Sequence, residues 1–166
     1  PRLEAIRRTI TRDARFSAAQ QAAVLGALAN AGFDPRRKVR FRSSTNVEDG
    51  EEFTGAGLYD SFSGCPIDDL DADGAGPCGC DSSEPEERGV FRAIQRVYAS
   101  FYNDNAFLER WRRGVVEAEV GVDADDLVDL LEPGQAVVRA HLDRGVVQRA
   151  VQRGVEDAAD ERAGQL

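Results

Sequence analysis

The sequence holds no methionine, one histidine, one tryptophan and three cysteines in 166 residues, and only one of its 21 Lys and Arg residues is a lysine. An odd cysteine count with no secretory leader argues against a disulfide scaffold and for reduced, cytosolic thiols. The spacing Cys65-x12-Cys78-x-Cys80 is not that of a zinc ribbon, and His141 lies far along the chain as a fourth ligand. No metal site is therefore expected. No apolar run approaches the ~18–20 residues that a membrane-spanning helix needs, and no charged segment leads into an apolar leader core. A membrane or secreted-precursor reading is excluded. With Pro1 first and no methionine, the chain is expected to be a piece of a longer polypeptide holding part of a site.

The length suits one domain with a modest core. A net charge of −9 conceals a split: residues 1–42 hold ten bases and three acids, a balance of +7, which leaves −16 for the remainder. Such a basic stretch can release counterions from nucleic acid, gather the phosphates of one nucleotide, or solvate two helices. A pI of 4.7 and the lack of aromatics among the bases before Phe16 argue against nucleic acid as the partner.

Leu3, Ile6 and Ile10 recur at helical spacing, and Ser17-Ala18-Ala19-Gln20 has the form of a capping box that opens a second helix ending near Gly32. Val39 to Ser43 alternates as a short strand delivering Arg42 and Ser43 to its carboxyl end, and Leu58 to Ser63 reads as a second strand. Residues 66–87 contain eight acids and no base, with little to bury, and are expected to form an exposed, mobile insertion. Val90, Phe91, Ile94, Val97, Tyr98 and Phe101 form an apolar helical stripe with Arg92 and Arg96 on other faces. Asn103 to Asn105 should break this helix, and another should run through Phe107, Leu108 and Trp111 to Gly114.

A triphosphate needs a cation with a two-toothed grip and backbone N–H groups that can approach closely. Arg42 at a strand end supplies the first, Gly55 and Gly57 permit the second as an anion nest, and Ser43, Ser44 and Thr45 add hydroxyls. The competing reading is a tight hairpin at the glycines with Arg42 paired to Glu48 or Asp49. The Gly55-Ala56-Gly57 loop is neither a Walker A loop nor a dinucleotide fingerprint.

Three ordered segments carry a resemblance: Arg40-Phe41-Arg42-Ser43-Ser44-Thr45-Asn46-Val47-Glu48-Asp49; Phe53-Thr54-Gly55-Ala56-Gly57-Leu58-Tyr59-Asp60-Ser61-Phe62; and Val97-Tyr98-Ala99-Ser100-Phe101-Tyr102-Asn103 with Asn105 to Arg110. Together they resemble the nucleotide-binding domain of the pyruvate phosphate dikinase and phosphoenolpyruvate synthase family over roughly residues 35–121. The resemblance implies an α+β, partial ATP-grasp-like lobe with short mixed strands and flanking helices. It also implies ATP and Mg2+ as cofactors, with the metal ligands outside this chain, and transfer of a phosphoryl group from ATP to a histidine on a separate domain, then to pyruvate or another acceptor. By this resemblance Arg42, Ser43, Ser44, Gly55, Gly57, Leu58 and Tyr59 are the ATP phosphate-binding residues. Asp60, Ser61, Ser100 and Arg110 are loop support, and no catalytic residue lies in the chain.

The departures matter equally. No lysine precedes Lys38 to reach the phosphates, the second lobe and phosphohistidine domain are missing partners, and His141 lacks the family's surrounding motif. Beyond Gly121 the family continues with a buried strand, whereas here Asp123 to Leu131 reads as a short acidic helix. The expected organisation is thus an ATP-binding part over residues 1–121, with the insertion at 66–87, followed by a helical tail over 122–166. The alternative function is a non-catalytic module that keeps the lobe and binds nucleic acid through residues 1–42.

Overall fold

A computed structural model describes residues 2–43, 49–50, 53–54, 57–71, 74–115, 129–132 and 135–137. The fold is mixed α+β. Helix α1 (Arg2–Arg12) and helix α2 (Ala18–Asn30) precede strand β1 (Val39–Arg42), the short hairpin pair β2 (Asp49–Gly50) and β3 (Phe53–Thr54), and strand β4 (Phe62–Gly64). A 3-10 turn at Pro66–Asp69, helix α3 (Val90–Ser100), helix α4 (Asp104–Arg112) and strands β5 (Asp129–Glu132) and β6 (Gln135–Val137) complete the order. No helix among the described residues is long and apolar enough to cross a membrane.

Local signals start and stop the helices. The Ser17 hydroxyl accepts the Gln20 N–H and the Gln20 side chain accepts the Ser17 N–H, closing the capping box of α2. At the other end Gly32 adopts φ +78, Gly32 N–H reaches Ala29 O, and Phe33 N–H reaches Leu28 O. This pair of bonds satisfies carbonyls that the helix end would otherwise leave open, and only glycine enters that conformation without strain.

The core forms where α3 crosses the sheet. Val24 and Leu28 of α2, Val39 and Phe41 of β1, and Val90, Ala93, Ile94 and Val97 of α3 are buried together, with Phe16, Phe33, Phe62, Phe91 and Tyr98 packed around them. Strand β1 alternates strictly, with Val39 and Phe41 inward and Arg40 and Arg42 exposed. The first sheet runs β4, β1, β6, β5; β4 is antiparallel to β1, β6 is parallel to it, and β2 pairs with β3 in a second, two-stranded sheet among the described residues. Gly64 makes the sheet-to-helix approach possible, since a Cβ there would meet the Val90 Cα at 2.6 Å.

Three expectations need correcting. Leu58 and Tyr59 lie in a turn, and β4 begins only at Phe62, because Tyr59 stacks on Phe101 with ring centroids 5.5 Å apart instead of continuing the ladder. Residues 129–132 and 135–137, assigned to a helical tail, are strands: an apolar run this short has no readable period, and pairing with β1 decides its state. The rest of 122–166, His141 included, lies outside the described residues.

The third correction concerns the acidic insertion. Its described part is tied down at several points, and Cys65 and Cys80 form a disulfide, contrary to the expectation of reduced thiols. The buried Asp68 carboxylate accepts the N–H of Gly79 at 2.7 Å and of Arg88 at 2.7 Å, while Lys38 reaches Asp81 at 2.8 Å. Composition suggested solvent exposure; Asp68, and Asp69 through the Val90 N–H, instead serve as acceptors for part-buried backbone donors, which cost free energy when unpaired.

Candidate functional site

The carboxyl end of β1 and the turn before β4 meet at one edge of the sheet. Register places Phe41 opposite Phe62, so Arg42 and Ser61 are the next residues at that end of the ladder. Arg42 is exposed and Ser43 half-buried. Gly57 takes φ +80 and is exposed, with Leu58 and Tyr59 half-buried behind it. Ser44 and Gly55 lie outside the described residues.

Helices α3 and α4 brace this turn. Ser100, buried at the end of α3, accepts the Asp60 N–H at 3.1 Å and donates to Val97 O at 2.6 Å. The Asn103 amide donates to the Asp60 carboxylate at 2.9 Å. Arg110 is completely buried on α4, with its guanidinium 3.8 Å from the Phe101 ring centroid and 3.3 Å from the Tyr59 hydroxyl. A buried guanidinium stacked on an aromatic face keeps its charge while its planar body packs as an apolar plate. The turn is thereby held by three side chains, those of Ser100, Asn103 and Arg110.

Ser61 also opens onto a cleft of about 300 Å³ between β4, the start of α3 and Lys38. Arg40, Arg92 and Arg96 line it together with Ser61 and Ser63. Glu84 answers part of this charge by pairing with Arg88 and with Lys38 at 3.6 Å, and Arg92 pairs with Glu86 at 3.6 Å. Arg96 lies 5.1 Å over the Phe62 ring. Among the described residues no carboxylate pairs with Arg40, Arg42 or Arg96. The hydrogen bond from Lys38 holds the Asp81 carboxyl down at about 2, and that same bond raises the Lys38 ammonium.

Sequence reasoning did not see this cleft, although its signal was present. Arg88, Arg92 and Arg96 recur every four residues; Arg92 and Arg96 share one face of α3, and Arg88 lies just before its start. What the arrangement can do chemically is hold a polyanion, with arginine forks along one wall and the hydroxyls of Ser61 and Ser63 beside them.

Comparison with protein-family models, with curated proteins and with solved structures found no match.

Proposed function

We propose that the chain is the ATP-binding part of a dikinase-type phosphotransferase, an ATP-grasp-like lobe that works with a second lobe and a histidine-bearing domain elsewhere in the same polypeptide. One observation carries the reading: the braced Gly57–Ser61 turn sits at the carboxyl end of β1 beside the exposed Arg42. Ligands of open α/β sheets bind at such strand ends. In this reading Arg42 grips two phosphate oxygens, Ser43 and the turn's backbone N–H groups complete the cradle, and Ser100, Asn103 and Arg110 fix the turn. Mg2+ would neutralise developing phosphate charge from ligands beyond these residues. In this reading the protein works in the cytoplasm.

The alternative, nucleic-acid binding by residues 1–42, has less support. Arg7 is committed to Tyr102 O at 2.6 Å and Asp104 at 3.6 Å, and Arg15 to the carbonyls of Arg12 and Ala14. Calorimetric titration of the whole chain with a non-hydrolysable ATP analogue tests the proposal. Charge-assisted contacts contribute ~1.5–3 kcal/mol each, so Arg42→Ala should weaken binding by about ten- to a hundredfold. Arg36→Ala, exposed before the amino end of β1 and so at the opposite end of the strand from Arg42, should leave it unchanged. Equal affinities for wild type and Arg42→Ala remove the arginine from the site.

A further inference from the structure

We infer that Cys65, Cys78 and Cys80 form a three-thiolate site for a zinc-type divalent cation. Their sulfur atoms all lie within 4.8 Å of one another. Zinc–sulfur bonds of ~2.3 Å at tetrahedral angles place ligand sulfurs roughly 3.8 Å apart, so closure around a metal needs only small side-chain movements. Cys65 and Cys78 are buried, and Cys80 is half-exposed, which leaves an approach for the ion and for water as the remaining ligand. Soft thiolates select zinc over magnesium or calcium.

The backbone that presents the sulfurs is held without help from the disulfide. Cys65 N–H donates to Arg88 O at 2.8 Å, and Cys78 N–H to Glu84 O at 3.0 Å. Asp81 N–H returns to Cys78 O at 3.0 Å, and Gly79 N–H to Asp68 at 2.7 Å. Asp68 links both sides, since its second oxygen takes the Arg88 N–H. Between the two neighbouring ligands, Gly79 has no room for a side chain: a Cβ would sit 2.6 Å from the Ile67 Cγ2.

Metal and disulfide exclude each other. A dithiol reductant delivers two electrons and two protons to the Cys65–Cys80 bond, leaving two thiols here and a cyclic disulfide on the reductant. The three thiols then release their protons as the cation binds. Three thiolates on a divalent ion leave one negative charge, with Lys38 nearby through its bond to Asp81.

The test uses the whole chain without a metal-binding tag, reduced, stripped with a chelator and then supplied with zinc. Elemental analysis should find about one zinc per reduced chain and none per oxidised chain, and cobalt should give thiolate-to-metal charge-transfer absorption in the near ultraviolet. Cys78→Ser, which keeps the disulfide pair intact, and Cys80→Ser should each weaken zinc by about a hundredfold or more in the reduced chain. Fewer than ~0.1 zinc per reduced wild-type chain, cobalt without charge-transfer bands, or unchanged affinity in both serine variants would overturn the site.

Discussion

Replacing Asp68 by asparagine should destabilise the protein far more than its place in an acid-rich, glycine-containing segment suggests. Asp68 is 6% exposed, and its carboxylate accepts two backbone N–H groups, those of Gly79 and Arg88, each at 2.7 Å. An amide has one oxygen, so one of the two donors would face an NH2 group and lose its partner. Leaving a buried donor unpaired costs ~1–3 kcal/mol, and the surviving bond loses its charge assistance, worth about another 1 kcal/mol. The sum is about 2–4 kcal/mol, a large part of the ~5–15 kcal/mol by which domains are stable. Urea unfolding at neutral pH, with the disulfide intact, should show the midpoint falling by about 1–2 M for a slope of ~2 kcal/mol/M. Asp71→Asn, exposed in the same segment, is the control and should stay within ~0.5 kcal/mol of wild type. Indistinguishable midpoints for the two variants would refute the claim that Asp68 holds the segment.

Asp69 should make stability depend on pH. Burial lifts its carboxyl from 3.8 to about 6, outweighing the N–H groups of Val90 and Phe91 that it accepts at the start of α3. The folded state therefore holds a proton that the unfolded state has released, so this group's contribution is present below about pH 4 and is lost as pH rises through about 6. Thermal melts of wild type and Asp69→Asn should show wild type losing ground to the variant across that window, and parallel curves would contradict it. Gly64→Ala forces a Cβ to 2.6 Å from the Val90 Cα and should cost ~1–3 kcal/mol in urea unfolding; a neutral result would mean that β4 and α3 are less closely packed. Reducing the Cys65–Cys80 bond, which closes a separation of 15 residues, in metal-free buffer should lower stability by roughly 2–3 kcal/mol, checked by urea unfolding with and without a phosphine.

What the sequence displayed was whatever a few neighbouring residues decide. Ser17 and Gln20 announce α2 because a capping box is complete within four positions, and the alternation of Val39 to Arg42 sorts β1 into a buried and an exposed face. The stripe from Val90 to Val97 repeats often enough to establish α3. Contacts between distant residues stayed hidden. Tyr59 leaves the strand state because Phe101 stacks on it, and Asp68 becomes structural only once Gly79 and Arg88 are brought to it. Leu130 and Leu131 carry no period of their own; the edge of β1 and its neighbour β6 determine their conformation. At the candidate site, Arg42 was legible from its strand, whereas the cleft beside Arg92 and Arg96 was not, because nothing local says that β4 and Lys38 complete it.

Nucleotide binding at the end of β1 is most directly tested by two-dimensional amide NMR of the isotopically labelled chain titrated with a non-hydrolysable ATP analogue and Mg2+. The largest shifts are predicted at Arg42, Ser43 and Gly57 to Ser61, with smaller ones at Ser100 and Asn103, and with saturation as the analogue is added. Unmoved amides in these residues at saturating nucleotide, or shifts confined to α1, would contradict it.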